Sequence, residues 1–193
     1  MSIGMSLLAI LHDAPAYGMH LKNEFEARTG SMWPLNVGQV YSTLARCERD
    51  GLVRMVEDGP EGQKVYDLTD AGRERLRSWF ETPTKTLPPA RDELVLKLVM
   101  ATGQRGVSSL HVIQAERRSA VELLQELTLL KRKESPDGDV GWAFLLDSLV
   151  FQTEARVRWL DDCEARLRRR GDTSTRPDAP ITSPVHDTSE VSR

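Results

Sequence analysis

The sequence has few cysteines and no long hydrophobic run. Cys47 and Cys163 are the only cysteines among 193 residues, so disulfide bonds do not hold this chain together and a reducing compartment suits it. Each cysteine lies on an apolar helical stripe, which favours a small buried side chain. No stretch approaches the roughly 18 apolar residues of a membrane-spanning helix, and the first residues (MSIGMSLL) lack the basic segment of a secretory signal. We therefore expect a cytoplasmic protein with no membrane partner.

The chain also lacks an excess of positive charge. Lysine and arginine number 26 against 29 aspartate and glutamate residues, giving a net charge of −3. Proteins that bind nucleic acids often carry a clear basic excess, so the total charge argues mildly against that class. DNA binding would then depend on local placement, because the local field attracts phosphate. Arg46, Arg49, Arg54 and Lys64 all fall on one predicted helix and one predicted ribbon.

Sequence signatures of catalysis are absent. There is no glycine-rich phosphate loop and no Gly-x-Ser-x-Gly elbow. The four histidines are scattered, and none is spaced with a cysteine as a pair of metal ligands: His12, His20, His111 and His186. We therefore expect no enzymatic activity, no cofactor and no metal. A catalytic set assembled only in space is the alternative that this pattern leaves open.

The most informative segment that is present is residues 34–53 (PLNVGQVYSTLARCERDGLV), which has the pattern of a capped amphipathic helix. Asn36 and Gln39 resemble a capping box at its start, and Gly51 supplies a stop. Apolar residues recur at helical spacing on one side: Val37, Val40, Leu44 and Cys47. The other side carries polar groups suited to phosphates and base edges: Gln39, Ser42, Thr43, Arg46 and Arg49.

The elements around this helix predict a winged helix-turn-helix domain over residues 1–82. Leucines at helical spacing mark a first helix that ends near residue 13, and a second runs from Tyr17-Gly18 to Thr29-Gly30. Two short β-type runs, 52–57 and 64–68, are joined by a glycine- and proline-containing loop and form a two-stranded wing. Thr69-Asp70 caps a fourth helix, after which three prolines between 83 and 89 interrupt the pattern.

The remainder is predicted to be helical, so the fold class is mainly α. Residues 91–170 have the pattern of a helical dimerisation domain, and the last helix carries a seam near the 3.5-residue period of a coiled coil. The seam residues are Trp142, Leu146, Leu149, Thr153, Val157, Leu160, Cys163 and Leu167. A second copy of the chain in a two-fold dimer would cover this seam; the alternative is a three-helix packing within one chain. Residues 171–193, mostly Ser, Thr, Pro and Asp, are predicted to be disordered.

Three blocks of this sequence resemble the PadR family of transcriptional regulators. They are residues 15–21 (PAYGMHL), 38–53 (GQVYSTLARCERDGLV) and 65–73 (VYDLTDAGR). Two further segments, 91–98 (RDELVLKL) and 154–160 (EARVRWL), are similar to the helical dimerisation region of the family's larger members. One departure is Cys47, where the family usually has leucine. The resemblance covers roughly residues 1–168 and agrees with the winged-helix pattern.

The resemblance implies a homodimeric repressor that binds double-stranded DNA at an inverted-repeat operator and is often released by a small, frequently aromatic, compound. Tyr41 matches a tyrosine of the family's recognition helix and implies a phosphate contact. The alternative is a ring that leans on the second helix. Lys64 and Tyr66 match the wing's basic and aromatic end. Lys64 could equally be a solvated hairpin charge, and Tyr66 fits a core position better than a DNA contact.

Two further hypotheses concern partners other than DNA. An apolar cavity in the dimer could accept a small aromatic effector, lined by Leu7, Leu11, Trp142, Phe144, Phe151 and Trp159. The alternative is that these side chains are ordinary core, as aromatic residues at helical spacing often are. The weak positive charge also leaves open a winged-helix adaptor that binds another protein and reads no DNA.

Overall fold

The computed structural model describes residues 2–58, 62–84, 92–135 and 138–171. Seven helices and three strands lie in these ranges: α1 Ser2–Leu11, β1 Ala16–Tyr17, α2 Gly18–Arg28, α3 Val37–Arg49, β2 Val53–Asp58, β3 Lys64–Leu68, α4 Asp70–Glu81, α5 Glu93–Ala101, α6 Ser109–Arg132 and α7 Val140–Arg169. None of these helices is long and apolar enough to cross a membrane. The predicted disordered tail lies, beyond Gly171, outside the described residues, as do much of the proline segment and the tip of the wing.

The chain divides into two compact units. The described residues of Met1–Ala90 and Leu123–Thr153 form the first, and those of Arg91–Glu122 and Glu154–Arg193 form the second. Both α6 and α7 therefore contribute to each unit. The N-terminal helices and the sheet belong entirely to the first unit.

The mainly helical fold with a winged helix-turn-helix is confirmed, but its sheet has a third strand. The strand order is β1-β3-β2, with every pair antiparallel. Ala16 pairs with Tyr66 and Tyr17 with Val65, so β1 extends the predicted two-stranded wing. The sequence does not indicate β1 because a two-residue strand is too short to show alternation. A bulge between Met55 and Glu57 shifts the register of the wing hairpin.

The core of the first unit is built from the apolar faces of α1, α2 and α3, closed by the sheet and α4. Leu21, Val40 and Leu44 are fully buried. Leu7 and Leu11 of α1 join them at 1% exposure each. Burying one such side chain stabilises the fold by roughly 1.5–3 kcal/mol. The core therefore fixes α3 against α1 and α2 and leaves its other side facing outward.

The predicted limits of α3 are confirmed. Its N-cap is Asn36, whose side-chain oxygen accepts a hydrogen bond from the backbone N–H of Gly38 at 2.8 Å. At the other end Gly51 adopts φ +71°, and the N–H of Leu52 donates to Cys47 O at 2.8 Å. A glycine in this left-handed conformation ends a helix without steric penalty. The chain then enters β2 directly, so the wing starts at a fixed distance from α3.

Thr69 fastens the wing to α4. Its hydroxyl donates to Gly51 O at 2.6 Å and accepts from the N–H of Gly72 at 3.0 Å, which caps α4 as predicted. Its backbone N–H donates to Leu52 O at 3.2 Å. One residue thus joins the end of α3, the start of β2 and the start of α4, and this triple link sets the direction of the wing.

The seam of α7 is largely covered within a single chain. In the second unit Leu160 is fully buried and packs with Leu94, Leu98 and Ile113, beside Cys163 and Leu167. In the first unit Leu146 is fully buried as well. The chain's own helices therefore remove part of this seam from water, and coverage of the remainder by a second copy stays a prediction. For the second unit, the three-helix alternative is the observed packing.

Candidate nucleic-acid interface

One side of α3 is exposed and polar. Gln39, Tyr41, Ser42, Arg46 and Arg49 are all exposed there, as the helical pattern predicts. Ser42 Oγ donates to Gln39 O at 3.0 Å, so this hydroxyl lies along the helix surface and keeps its lone pairs available. The outer face of α3 therefore presents donors and acceptors of the kind that read base edges and hold phosphates.

Thr43 is not part of this face, and its predicted exposure is wrong. The side chain is only 6% exposed. Its methyl group Cγ2 lies 3.6 Å from the point where a Cβ of Gly4 in α1 would be. The helical turn places residue 43 between Val40 and Cys47 on the buried stripe, so a polar residue type misled the prediction. Val37, assigned to the stripe, is instead exposed at its edge.

The turn before α3 is held by Glu26 of α2. Its Oε1 accepts from the N–H of Leu35 at 3.0 Å, and its Oε2 pairs with Lys22 Nζ at 2.6 Å. These bonds, the Lys22 bond first, lower the pKa of the Glu26 carboxyl. Gly30 and Ser31 in the same turn both have positive φ, +54° and +58°. The carboxylate thus bridges α2 to the residue before the cap of α3 and fixes the approach of the two helices.

The ring of Tyr41 packs on α2 at Gly18. A Cβ at residue 18 would lie 2.8 Å from Cε1 of Tyr41, so only a glycine leaves room for the ring. Tyr41 remains 40% exposed. The alternative of a ring leaning on the second helix is therefore the observed packing. It leaves open a phosphate contact by the hydroxyl, because a tyrosine can combine an apolar body with a polar tip.

Cations of the N-terminal domain differ in whether they are neutralised. Five are bound to carboxylates within the first unit: Lys22, Arg28, Arg54, Arg73 and Arg77. Arg46 and Arg49 of α3 and Arg75 of α4 have no ion-pair or hydrogen-bond partner for their side chains among the residues that the structure describes. Lys64 is exposed and faces Asp58 in the wing register. Free guanidinium groups therefore occur on α3, although the domain has no basic excess.

Tyr66 and both thiols are structural. Tyr66 is buried in the sheet, and burial, with Glu48 and Tyr41 nearby, raises its pKa. Burial likewise raises the pKa of Cys47 and of Cys163, so both stay as neutral thiols at ordinary pH. Within the described ranges, no three His, Cys, Asp or Glu side chains come together as metal ligands.

Comparison with known families explains this arrangement. Residues 7–78 match the transcriptional regulator PadR-like family, and residues 90–168 match the family described as virulence activator alpha C-term. The chain belongs to the PadR-like family. This confirms the resemblance seen in the sequence, and it confirms that the chain is a transcriptional regulator and not an enzyme.

Two bacterial relatives match over most of their length. The chain is 24% identical over 191 residues to "Probable transcriptional regulator Rv1176c" of Mycobacterium tuberculosis, covering 88% of this chain and 100% of that protein. It is 22% identical over 173 residues to the negative transcriptional regulator PadR of Bacillus subtilis, covering 84% and 95%.

Two solved structures of Bacillus subtilis PadR share the fold at 20% identity. The complex with operator DNA matches with a TM-score of 0.64 over 86% of this chain and 99% of that chain. The complex with p-coumaric acid matches with a TM-score of 0.67 over 87% and 99%. At this identity the likeness establishes the PadR fold for this chain, and the ligands are those of the Bacillus protein.

The predicted effector residues differ in how far this PadR-like chain buries them. Leu7 and Leu11 are sealed in the core of the first unit, so the prediction that they line an open cavity is corrected. In the same unit Trp142 is half-buried, whereas Phe144 and Phe151 are 71% and 67% exposed. Trp159 belongs to the second unit. Trp142 lines a cavity where α6 ends and α7 begins.

The sequence analysis missed residues whose importance comes from a tertiary contact and not from their residue type. Glu26 lies nine positions before Leu35, a spacing that no helical or strand period highlights. Gly18 and Gly30 matter because aromatic rings occupy the space of their missing side chains. Arg75 could have been found from the sequence. It lies on the polar side of α4, whereas Leu76 lies on the buried side of the same helix.

Proposed function

We propose that this PadR-like regulator is a homodimeric repressor that binds an inverted-repeat DNA operator through α3 and its wing. The observation that carries the proposal is the exposed side of α3, where Arg46 and Arg49 keep guanidinium groups unpaired among the described residues. Most other N-terminal cations are neutralised by neighbouring carboxylates. Unpaired positive charge therefore lies on a helix that can enter the major groove.

Each exposed residue of α3 has a role that its chemistry supports. Gln39 and Ser42, in its first half, reach base edges, since an amide and a hydroxyl can both donate and accept. Arg46 and Arg49, one and two turns later, bind phosphates. The hydroxyl of Tyr41, whose ring is held on Gly18, donates to the backbone of the same strand. Lys64 at the start of β3 contacts the flanking phosphate with the wing.

A homodimer is supported by apolar surface that the single chain leaves exposed. On α5, four apolar side chains are exposed: Val95, Leu96, Val99 and Met100. On α7, Phe144 and Phe151 lie seven residues apart and are both exposed. Such surfaces mark interaction sites more often than free faces of monomers. Two-fold symmetry would set two copies of α3 about 34 Å apart, one turn of DNA, and so would select a palindromic site.

The relatives support the direction of regulation and its control. The Bacillus subtilis protein is named a negative transcriptional regulator, and two of its structures are complexes, one with operator DNA and one with p-coumaric acid. We therefore extend the proposal to repression that is relieved by a small aromatic effector.

The test combines DNA binding with molecular mass. DNA from upstream of the chain's own gene is titrated with protein at low salt in a mobility-shift assay, while light scattering gives the mass in solution. We expect a dimer and a retarded complex that survives competition by unrelated DNA. A double variant, Arg46→Ala with Arg49→Ala, should remain dimeric and folded but lose retardation.

Two results would contradict the proposal. A chain that stays monomeric at high concentration cannot bind both half-sites of an inverted repeat as a dimer. A dimer that retards no upstream DNA at low salt would favour the winged-helix adaptor. Repression itself is tested by fusing the upstream DNA to a reporter, whose output should rise when the gene is deleted and fall when it is restored.

A further inference from the structure

A cavity of about 400 Å³ lies where α6 ends and α7 begins, within the first unit. Its apolar walls come from Leu130, Val140, Trp142 and Ala143. Its polar lining includes the carboxyl groups of Glu134 and Asp139. A volume of this order is within the range of small-molecule sites, which are mostly apolar with a few placed polar groups.

Glu134 has an oxygen that no donor of the described residues satisfies. Its Oε1 is buried, yet no hydrogen-bond donor of the described residues reaches it. A buried acceptor without a donor is unfavourable by about 1–3 kcal/mol, and more when it is charged. Buried polar atoms are therefore almost always paired. Glu134 is one of the residues that line the cavity, so its unsatisfied oxygen points to a donor supplied by a ligand.

The other charged groups of the lining do not serve Glu134. Asp139 is already engaged, since its Oδ1 accepts from the N–H of Gly141 at 2.7 Å at the start of α7. Lys133 is exposed and extends toward water. Two carboxyl groups against one solvated ammonium leave the cavity with a negative balance, which favours a cation over an anion.

We propose that this cavity binds a small primary amine carrying one aromatic ring. The ammonium group donates to Oε1 of Glu134 and satisfies the buried acceptor. The ring packs against Trp142 and the aliphatic wall of Leu130 and Val140. The indole face also attracts the positive charge, because its π system has a negative surface. Nothing in the sequence pattern distinguishes Glu134, two residues beyond α6, from the glutamates of that helix.

Trp142 links this cavity to the turn before α3. Its indole ring packs on Gly30 so closely that a Cβ at residue 30 would lie 2.6 Å from Cη2. The same turn holds the Glu26–Leu35 hydrogen bond that positions α3. A ligand that displaces Trp142 would therefore press on the base of the DNA-binding helix. This coupling rests on the function proposed above, whereas ligand binding itself does not.

Binding is tested by calorimetry on the full chain with three matched probes. Phenethylamine, 2-phenylethanol and 3-phenylpropionate share one ring and differ in the polar group. We expect the amine to bind at least about tenfold more tightly than the other two. Glu134→Gln removes the negative charge at constant size and should weaken amine binding by a similar factor. Glu126→Gln, at an exposed position of α6, is the matched control and should change nothing.

Several outcomes would overturn the site. Equal affinity for the three probes, equal behaviour of the two glutamine variants, or no heat with millimolar amine would each reject it. Circular dichroism keeps the comparison valid by showing that both variants are folded. Trp142→Ala should also reduce amine binding, and an unchanged affinity would remove the ring from the site.

The coupling is measured separately by titrating operator DNA with and without phenethylamine. We expect the amine to lower DNA affinity of the native chain and to leave that of Glu134→Gln unchanged. An amine that binds without changing DNA affinity would overturn the coupling while the site stands. A chain that binds amine but no DNA would instead reject the proposed function, so the two failures are distinguishable.

Discussion

The phenol ring of Tyr41 lies on the backbone of Gly18, where a methyl group would be 2.8 Å from Cε1 and 2.9 Å from Cζ. Real Cβ atoms do not approach so closely. The first residue of α2 and the exposed side of α3 thus meet with no side chain between them. This contact orients a tyrosine that the proposed function places against the DNA backbone.

Gly18→Ala should reduce DNA affinity more than it reduces stability. The new methyl group must push the Tyr41 ring aside, and that half-exposed ring can swing into water at little energetic expense. Alanine is also favoured over glycine in a helix by about 1 kcal/mol, which offsets the clash. We expect about a tenfold loss of operator affinity by fluorescence anisotropy, with a melting temperature close to that of the native chain.

Tyr41→Phe is the matched variant for this contact. It keeps the packing on Gly18 and removes the hydroxyl, so its loss of affinity reports the phosphate bond alone. If Gly18→Ala and the native chain bind operator equally, the position of the ring has no part in DNA binding.

Arg46 and Arg73 should differ in their effect on the salt dependence of binding. Arg46 has no partner among the described residues, whereas Arg73 lies 3.6 Å from Asp67. Each phosphate contact contributes about 0.9 to the slope of log affinity against log salt. Arg46→Ala should therefore lower the slope by about one, and Arg73→Ala should leave it unchanged. Equal slopes for the two variants would show that Arg46 makes no phosphate contact.

Lys64→Ala is a separate test of the wing. The lysine faces Asp58 in the hairpin, so a solvated charge and a phosphate contact predict different slopes. If Lys64→Ala lowers the slope of log affinity against log salt by about one, Lys64 contacts a phosphate. If the slope does not change, Lys64 is a solvated charge of the hairpin.

The bridge from Glu26 to Leu35 should make stability depend on pH in the acid range. Its hydrogen bonds, that from Lys22 first, lower the pKa of Glu26 below the ordinary value of 4.5 for a glutamate side chain. The stabilisation is complete above that unfolded-state value and is lost as the pH falls through the lower folded-state pKa. Glu26→Gln should thus be less stable than the native chain near neutral pH, and the difference should shrink on acidification.

Urea unfolding of the two chains at about pH 7 and about pH 3 measures this change. A gap in unfolding free energy that stays constant between these conditions would show that the carboxylate charge is not what holds the turn. Asp13→Asn, in an exposed ion pair with Arg28, is a suitable control because surface pairs contribute little.

Gly30→Ala should destabilise the fold more than Gly51→Ala. Both glycines have positive φ, +54° and +71°, so alanine is strained at either position by about 1 kcal/mol. Nothing lies within 4 Å of a Cβ at Gly51, whereas Trp142 occupies that space at Gly30. Overpacking adds about 1–3 kcal/mol at residue 30. In a Trp142→Ala background this extra term should vanish, and its persistence would contradict the contact.

The sequence by itself determined the features that depend on neighbours along the chain. Asn36, Gly51 and Thr69 act through the backbone within a few residues, and they mark the ends of α3 and the start of α4 correctly. The apolar spacing of Val40, Leu44 and Cys47 likewise predicts which side of α3 is buried. Signals of this kind are local, so a linear sequence contains them in full.

The tertiary structure alone decided what depends on residues far apart in sequence. It pairs Ala16 with Tyr66 as a third strand, buries Thr43 beneath Gly4, and covers the seam at Leu160 within the chain. It also decides which arginines are neutralised, and it leaves one oxygen of Glu134 without a donor from the described part of the chain. Burial and charge pairing depend on distances across the folded chain, and residue type and spacing do not specify those distances.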